Sequence, residues 1–260
     1  MINTKLSVLC WNVAHPSKER AAKQIQWLSS RPEDVFVLTE TNSRAGCDLI
    51  AQHFNGQQFF DGRQYYLYRT EPEGNEFGVM VVSRYPLSVS RFSQSITYLA
   101  PRVASVGVAL PGSELEIIGV YVPSRNATQE KIDRKKRFLE NLLQALRLNP
   151  VSNRIICGDL NVLEPDHNPH YGFFQAWEYD FYRGLANRQL KDTFRHLNPS
   201  AKEYSWVGKT GDGYRYDHCF VSQRLVPALR SATYIHEPRH SKLSDHSALT
   251  VGLEWGVEST

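Results

Sequence analysis

Short apolar runs punctuate the chain, each closed by a turn signal or by a polar residue. Residues 6–13 (LSVLCWNV) and 34–40 (DVFVLTE) are short and rich in β-branched side chains, and predict buried strands. Between them, Ser17 stands where a helix cap is needed, ahead of a face carrying Ala21, Ile25 and Leu28, and Pro32 ends the helix. Ser43 is placed to cap a second helix through Leu49 and Ile50, stopped by Asn55-Gly56. Strand signals follow at 77–87 (FGVMVVSRYPL). Residues 102–110 and 115–122 predict a hairpin around Pro111-Gly112-Ser113. A long helix then carries Ile132, Leu139, Leu142 or Leu143, and Leu146 at helical spacing. Residues 154–162 (RIICGDLNV) predict another buried strand, and 184–194 (GLANRQLKDTF) a helix. A strand at 214–222 (YRYDHCFVS), a short helix at 224–230 and a last strand at 246–255 complete the series. Continuous apolar strands need cover on both faces. The pattern therefore predicts an α/β chain with sheets packed together inside and helices outside.

The 260 residues allow one large domain or two small ones. There is no linker, low-complexity tract or short repeat. Two halves of similar element order meeting near residue 125 are the alternative to one domain over residues 1–260, which is the expectation. With 41% hydrophobic and 22% charged residues, disorder is not the default. A net charge of +3 permits a polyanionic partner without demanding one. Of the four cysteines, Cys10, Cys157 and Cys219 sit inside apolar runs, and none of the four, Cys47 included, stands at metal-ligand spacing from another. Reduced, buried thiols favour a reducing compartment. No stretch approaches the ~20 apolar residues of a bilayer span, and the first residues lack a signal-cleavage pattern. A cytoplasmic protein with no membrane partner is expected.

The informative feature is where polar residues fall. Asn12 follows VLCW, Glu40 follows VFVLT, Asp159 and Asn161 follow RIICG, Asp217 interrupts YRYDHCFV, and Asp245 and His246 precede SALTV. Each alone has a local explanation as a turn, a cap or an ordinary histidine. Asp217 is hardest to explain so, because Asp is depleted in strands. Strands that deliver polar groups to their ends usually deliver them to one cleft. Converging carboxylates repel one another unless a cation sits among them. Oxygen ligands suit a hard cation such as Mg²⁺, with Mn²⁺ as an alternative. Such a cluster points to metal-assisted hydrolysis of a phosphate ester. Glu40 would hold the metal, Asp159 would orient or deprotonate water, and His246 would face the phosphate with Asp217 behind it. Asn12 and Asn161 would supply neutral polar contacts.

At these residues the sequence resembles the endonuclease/exonuclease/phosphatase superfamily, most of all its exonuclease III and abasic-site endonuclease branch. The matching pieces are LCWNV, VLTET, GVMVVSRYPL, GVYVPS, CGDLNV, YRYDHCFVS and LSDHSAL, which run from residue 10 to residue 250. The resemblance implies a four-layer α/β sandwich of two mixed sheets face to face, flanked by helices. It implies Glu40 as main metal ligand with Asp245 and Asn12 nearby, Asp159 as catalytic acid/base beside Asn161, Asp217–His246 as the phosphate-facing pair, and Tyr121 at the scissile phosphate. DNA is the substrate it implies. Trp206, Tyr214 and Tyr216, beside Arg215, suit a nucleic acid, Arg125 could reach a phosphate, and the helix bearing Lys131, Arg134, Lys135, Lys136 and Arg137 offers either a backbone track or a solvated face.

The sequence also departs from that branch. Thr39 and Asn42 stand where Gln and Lys usually flank the metal Glu, and Val13-Ala14-His15-Pro16 lacks the usual acidic or Gly-bearing turn. After YVP comes Ser-Arg. The hydrolytic core is intact, whereas abasic-site specificity is open. The same chemistry on RNA, a nucleic-acid adduct, an inositol phosphate or a phospholipid head group is the alternative, and a non-catalytic binding module is a third reading. No obligate protein partner is implied, and the histidines outside the motifs, His15 among them, receive no role.

Overall fold

The computed structural model describes residues 2–55, 64–111, 113–150 and 152–257. Its elements in chain order are β1 (Ile2–Asn12), α1 (Lys18–Ser29), β2 (Val35–Thr41), α2 (Ala45–Phe54), β3 (Tyr66–Arg69), β4 (Gly78–Ser83), β5 (Leu87–Val89), β6 (Val103–Leu110), β7 (Ser113–Tyr121), α3 (Gln129–Leu148), β8 (Arg154–Asp159), α4 (Ala176–Ala186), β9 (Leu190–Asp192), α5 (Thr193–Leu197), β10 (Trp206–Val207), β11 (Gly213–Tyr214), β12 (Asp217–Ser222), β13 (Leu229–Ile235), α6 (Glu237–His240) and β14 (Ala248–Val257). Two six-stranded sheets form, in the orders β13-β14-β1-β2-β4-β3 and β5-β6-β7-β8-β12-β9. Both are mixed: β1–β2 and β7–β8 pair in parallel and the other neighbours antiparallel.

The two-residue period of a strand explains the layering. In β2, Val35 and Val37 join a core shared with Ile117, Ile155 and Cys157 of the second sheet, while Phe36 and Leu38 join an outer core with Leu28 and Ile50. In β8, Ile156 turns outward to Leu139, Leu142 and Leu185. One apolar layer thus lies between the sheets, and one lies under each helical flank. This is the predicted four-layer α/β sandwich. The four cysteines are free and buried, as expected.

Ser17 caps α1 through the Arg20 N–H, and the predicted hairpin closes at Leu110↔Ser113. Gly112 and Gly56, named above in two turns, lie outside the described residues. Three expectations need correction. Ser43 does not cap α2: Arg44 holds the cap position, and the Ser43 hydroxyl donates to the Pro72 carbonyl. The stretch 77–87 is divided between β4 and β5, which lie in different sheets, because Pro86 interrupts it. The helix expected at 184–194 begins earlier, at Ala176, behind a reciprocal Gln175–Glu178 capping box, and Leu190–Asp192 is an edge strand on β12.

Candidate active site

Register brings the singled-out residues together. Asn12 ends β1 opposite Thr39, and the next residue of β2, Glu40, sits at a register shift of that strand beside it. Tyr121 ends β7 opposite Asp159 at the end of β8, and Asp217 begins β12 opposite the same Asp159. His246 joins Trp206 through an isolated bridge. Both sheets therefore deliver polar ends to one edge of the sandwich. A cleft of about 290 Å³ opens there, lined among others by Glu40, Tyr121, Asp159, Asn161, Trp206, Tyr216, Asp245 and His246.

The floor is a connected hydrogen-bond network. The Asn12 amide donates to Glu40 Oε2 at 2.8 Å and to Asp159 Oδ2 at 2.9 Å. Asn161 gives its backbone N–H to Asp159 Oδ1 and its side-chain amide to Asp159 Oδ2. His246 Nδ1 shares a 2.7 Å hydrogen bond with Asp217 Oδ2, and its Nε2 lies 3.9 Å from Asp159 Oδ2. Trp206 donates its indole N–H to Asp245 Oδ2 at 3.0 Å. Glu40 at φ +57° and Asn161 at φ +47° hold left-handed backbone that residues with a Cβ rarely adopt. Such backbone clusters at functional sites.

Burial sets the charges. Burial first, and then the neighbouring Asp217, raise Asp159 to about 7. Burial opposes a charge on His246, but the Asp217 carboxylate outweighs it and pushes the imidazole up to about 10. The pair is thus an imidazolium held by a carboxylate, beside a second carboxyl poised near neutrality. Burial and the charges of Glu40 and Asp159 push the Tyr121 hydroxyl well up, so it is a donor and not a phenolate.

The residues fit a divalent cation. Glu40, Asp159 and Asp245 line the cleft and Asp217 lies behind His246, whereas the cleft's Lys135 and Arg125 are both tied to Glu178. His246 alone does not balance these carboxylates. Asp217 Oδ1 is also buried without a partner. Asp159, Asp217 and His246 bring one ligand atom each within 4.8 Å of one another. However, His246 Nδ1 and Asp217 already face each other, and both Asp159 oxygens accept N–H groups. Glu40 and Asp245 are the less buried carboxylates of the cleft and could hold an ion at its open side.

Several expectations look different in three dimensions. Asn12 turns its amide nitrogen to Glu40 while its oxygen accepts from the Ala14 N–H, so its amide organises the carboxylates. Arg125 does not reach out: its guanidinium pairs with Glu178, donates to the Phe173 carbonyl and lies 4.2 Å over the Phe173 ring. Lys135 is buried, donating to Glu178 and to the Asn161 carbonyl. Arg215 is fully buried on Glu164 and Asp192 and does not accompany the aromatics. The aromatics do meet: Tyr214 stacks on Tyr216 at 5.2 Å and on Tyr171 at 4.5 Å, with Trp206 6.0 Å from Tyr216.

Sequence reasoning missed three supports. Ser244 donates to the Asn12 carbonyl and accepts the His246 N–H, locking the two ends of the site together. The Ser205 hydroxyl accepts from the Tyr216 and Asp217 N–H groups. Lys135 holds the Asn161 backbone, and a signal existed for it, since positions 132, 135, 139, 142 and 146 are one apolar stripe with a lysine in it. Lys135→Met is expected to leave Glu178 with Arg125 as its remaining cationic partner and to lower turnover several-fold, by about 1 kcal/mol in transition-state terms. Steady-state kinetics beside a thermal melt separates that effect from unfolding.

The sequence matches the family model described as Endonuclease/Exonuclease/phosphatase family over residues 9–246, and the chain belongs to this family. Members of the family are divalent-metal-dependent hydrolases of phosphoester bonds. Recombination repair protein 1 of Drosophila melanogaster is 34% identical over 266 residues, covering 95% of this chain and 37% of that protein. Exodeoxyribonuclease III of Haemophilus influenzae is 30% identical over 139 residues, covering 43% of this chain and 51% of that protein. The chain thus spans about half or less of the curated relatives it matches. Among solved structures, the Neisseria 3′ phosphatase NExo bound to a product DNA hairpin has a TM-score of 0.77 at 20% identity, covering 96% of this chain and 100% of that chain. An AP endonuclease from Archaeoglobus fulgidus has a TM-score of 0.75 at 20% identity, covering 95% and 98%. These two likenesses establish the fold. No helix among the described residues is long and apolar enough to cross a membrane.

Proposed function

We propose that residues 1–260 form one catalytic domain, a metal-dependent nuclease of the exonuclease III / abasic-site endonuclease type, acting on DNA. The observation that carries this reading is the convergence of Glu40, Asp159, Asn161, Asp245 and the Asp217–His246 pair on one cleft. A divalent cation held by Glu40 and Asp245, Mg²⁺ or Mn²⁺, would offset phosphate charge and stabilise the leaving oxygen. Asp159, near neutrality, takes the proton of the attacking water as its oxygen bonds to phosphorus and the ester bond breaks. Asn161 and Asn12 fix the Asp159 carboxylate. His246 donates from Nε2 to a phosphate oxygen, its tilt fixed by Asp217 at Nδ1. Tyr121, kept protonated, donates to the same phosphate. Relatives named for recombination repair and for exodeoxyribonuclease activity, and a structural neighbour holding a DNA hairpin, support DNA over RNA and small phosphoesters. Four buried free thiols support a reducing, cytoplasmic setting. Neither a membrane nor an obligate protein partner is part of this reading.

The test is cleavage of a duplex oligonucleotide with one abasic-site analogue, with magnesium and with EDTA, beside an intact duplex. Magnesium-dependent incision at the lesion is expected. Absence of incision with hydrolysis of a generic phosphodiester retained would keep the metal site and discard abasic DNA. Two variants extend the test. Glu40→Ala is expected to weaken Mg²⁺ affinity on the order of a hundredfold, since losing even an outer-shell partner costs about 10–100-fold, read by calorimetry. Trp206→Ala is expected to raise KM for DNA about tenfold, the loss of one stacked base, with a smaller effect on kcat. An unchanged KM would remove Trp206 from the substrate path.

A further inference from the structure

His15 sits in the turn where the abasic-site branch has an acidic or Gly-bearing sequence, and the proposed mechanism does not use it. Its Nδ1 lies 2.9 Å from Glu40 Oε1, the carboxylate oxygen that Asn12 does not touch. The contact is built into the backbone. Val13 N–H donates to the Thr39 carbonyl and His15 N–H to the Glu40 carbonyl, so the turn is stapled to the peptide that carries the metal-binding carboxylate. Ala14 and His15 are both left-handed, at φ +52° and +38°, opposite Glu40 at φ +57°. Neither is glycine, and such a run persists only where its surroundings over-determine it. The same turn also engages the Asn12 side-chain oxygen, which accepts the Ala14 N–H at 2.8 Å. The imidazole packs against Phe77 at 5.2 Å, and its side chain keeps 45% exposure beside Glu40. A partly exposed imidazole thus stands in hydrogen-bond contact with the metal anchor's second carboxylate oxygen, held there by its turn.

We propose that His15 is a nitrogen ligand of the cation anchored by Glu40. The site then has a mixed carboxylate–imidazole donor set, with Asp245 as the second carboxylate. Imidazole adds little for Mg²⁺ and more for transition ions along the Mn²⁺ < Co²⁺ < Ni²⁺ order. The chain is therefore tuned toward Mn²⁺ or a later divalent ion relative to an all-oxygen site. This proposal rests on the reading of Glu40 as the metal anchor.

The experiment uses the full chain with Mn²⁺ and Mg²⁺ alone as probes. Calorimetry gives both affinities, and pulsed electron paramagnetic resonance of bound Mn²⁺ reports a directly bound nitrogen. The wild type is expected to show an imidazole nitrogen coupling that is lost in His15→Ala and in His15→Asn. Asn tolerates left-handed backbone, so a loss in that variant is not a collapse of the turn. Mn²⁺ affinity should fall about tenfold or more in both variants, and by more than Mg²⁺ affinity does, because the imidazole adds more for the transition ion. The coupling should persist in His246→Ala, which separates the two histidines. Bound Mn²⁺ without a nitrogen coupling in the wild type, or with the same coupling in His15→Ala, overturns the His15 ligand and leaves Glu40 in place. Mn²⁺ binding that is unchanged in Glu40→Ala overturns both.

Discussion

Asp159→Asn is expected to lower kcat by about a thousandfold or more, the upper range for removing a positioned general base, while the fold and its melting temperature stay close to wild type. The isosteric amide keeps the volume of a side chain that is 2% exposed. It can still accept the Asn161 N–H at one atom. What it loses is the capacity to take a proton. The nitrogen end of Asn accepts from neither Asn12 nor Asn161, so both amides lose that acceptor. Substrate binding should be nearly unaffected, because the proposed metal anchors and the aromatics are elsewhere. KM should therefore hold while kcat falls, the signature of an interaction made in the transition state. Near-normal turnover in this variant would sink the assignment of the base. A collapse of the melt would instead make Asp159 structural, a carboxylate kept only to hold Asn12 and Asn161.

The convergence of this site was legible in the sequence because its residues lie where strands end. A strand that is apolar on both faces must be buried, so a polar residue at its end stands at the rim of a buried layer. Asn12, Glu40, Asp159 and Asp217 could be read in that way, and register then did the rest by pairing Asp159 with both Tyr121 and Asp217. What could not be read were partnerships across long stretches of chain. Arg125 and Lys135 looked like free cations until Glu178, 53 and 43 residues away, was found beside both. Residue 178 lies in a helix whose start was misplaced in the sequence reading, so its carboxylate was never a candidate. His15 was unreadable for a related reason: only the parallel pairing of β1 with β2 sets its turn against Glu40. Arg215 was legible and was missed. In Tyr-Arg-Tyr-Asp the two-residue period puts Tyr214 and Tyr216 on one face and Arg215 with Asp217 on the other.

Arg215→Met is expected to destabilise the protein by about 3–5 kcal/mol, the usual cost of removing one partner from a buried ion pair. Arg215 donates to Glu164 Oε1 at 3.1 Å and to Asp192 Oδ2 at 2.8 Å. Glu164 keeps Arg195, and Asp192 keeps the Tyr182 hydroxyl and His218, so the variant should still fold. The pH dependence distinguishes this loss from a packing defect. Burial opposes the charge on Glu164, but Arg195 and Arg215 together lower its carboxyl from 4.5 to about 2. A group whose folded value is depressed contributes stability above its unfolded value and loses it as the pH falls through the folded one. The wild-type contribution is thus complete above about pH 4.5 and fades toward pH 2. Asp192 is lowered too, against its burial, by Arg215 and His218. The gap between wild type and Arg215→Met should therefore be largest near neutrality and should narrow between pH 4.5 and pH 2. Urea melts at several pH values measure it, and a gap independent of pH would mean that the cost is lost packing. The network also reaches the site. The Tyr234 hydroxyl donates to the Asp217 carbonyl and lies 3.5 Å from the Arg215 guanidinium. Loosening Arg215 frees the start of β12, and with it the carboxylate that holds His246. Turnover in the variant should fall even at temperatures where it is fully folded, because the imidazole loses its fixed tilt before the sheet loses its strand.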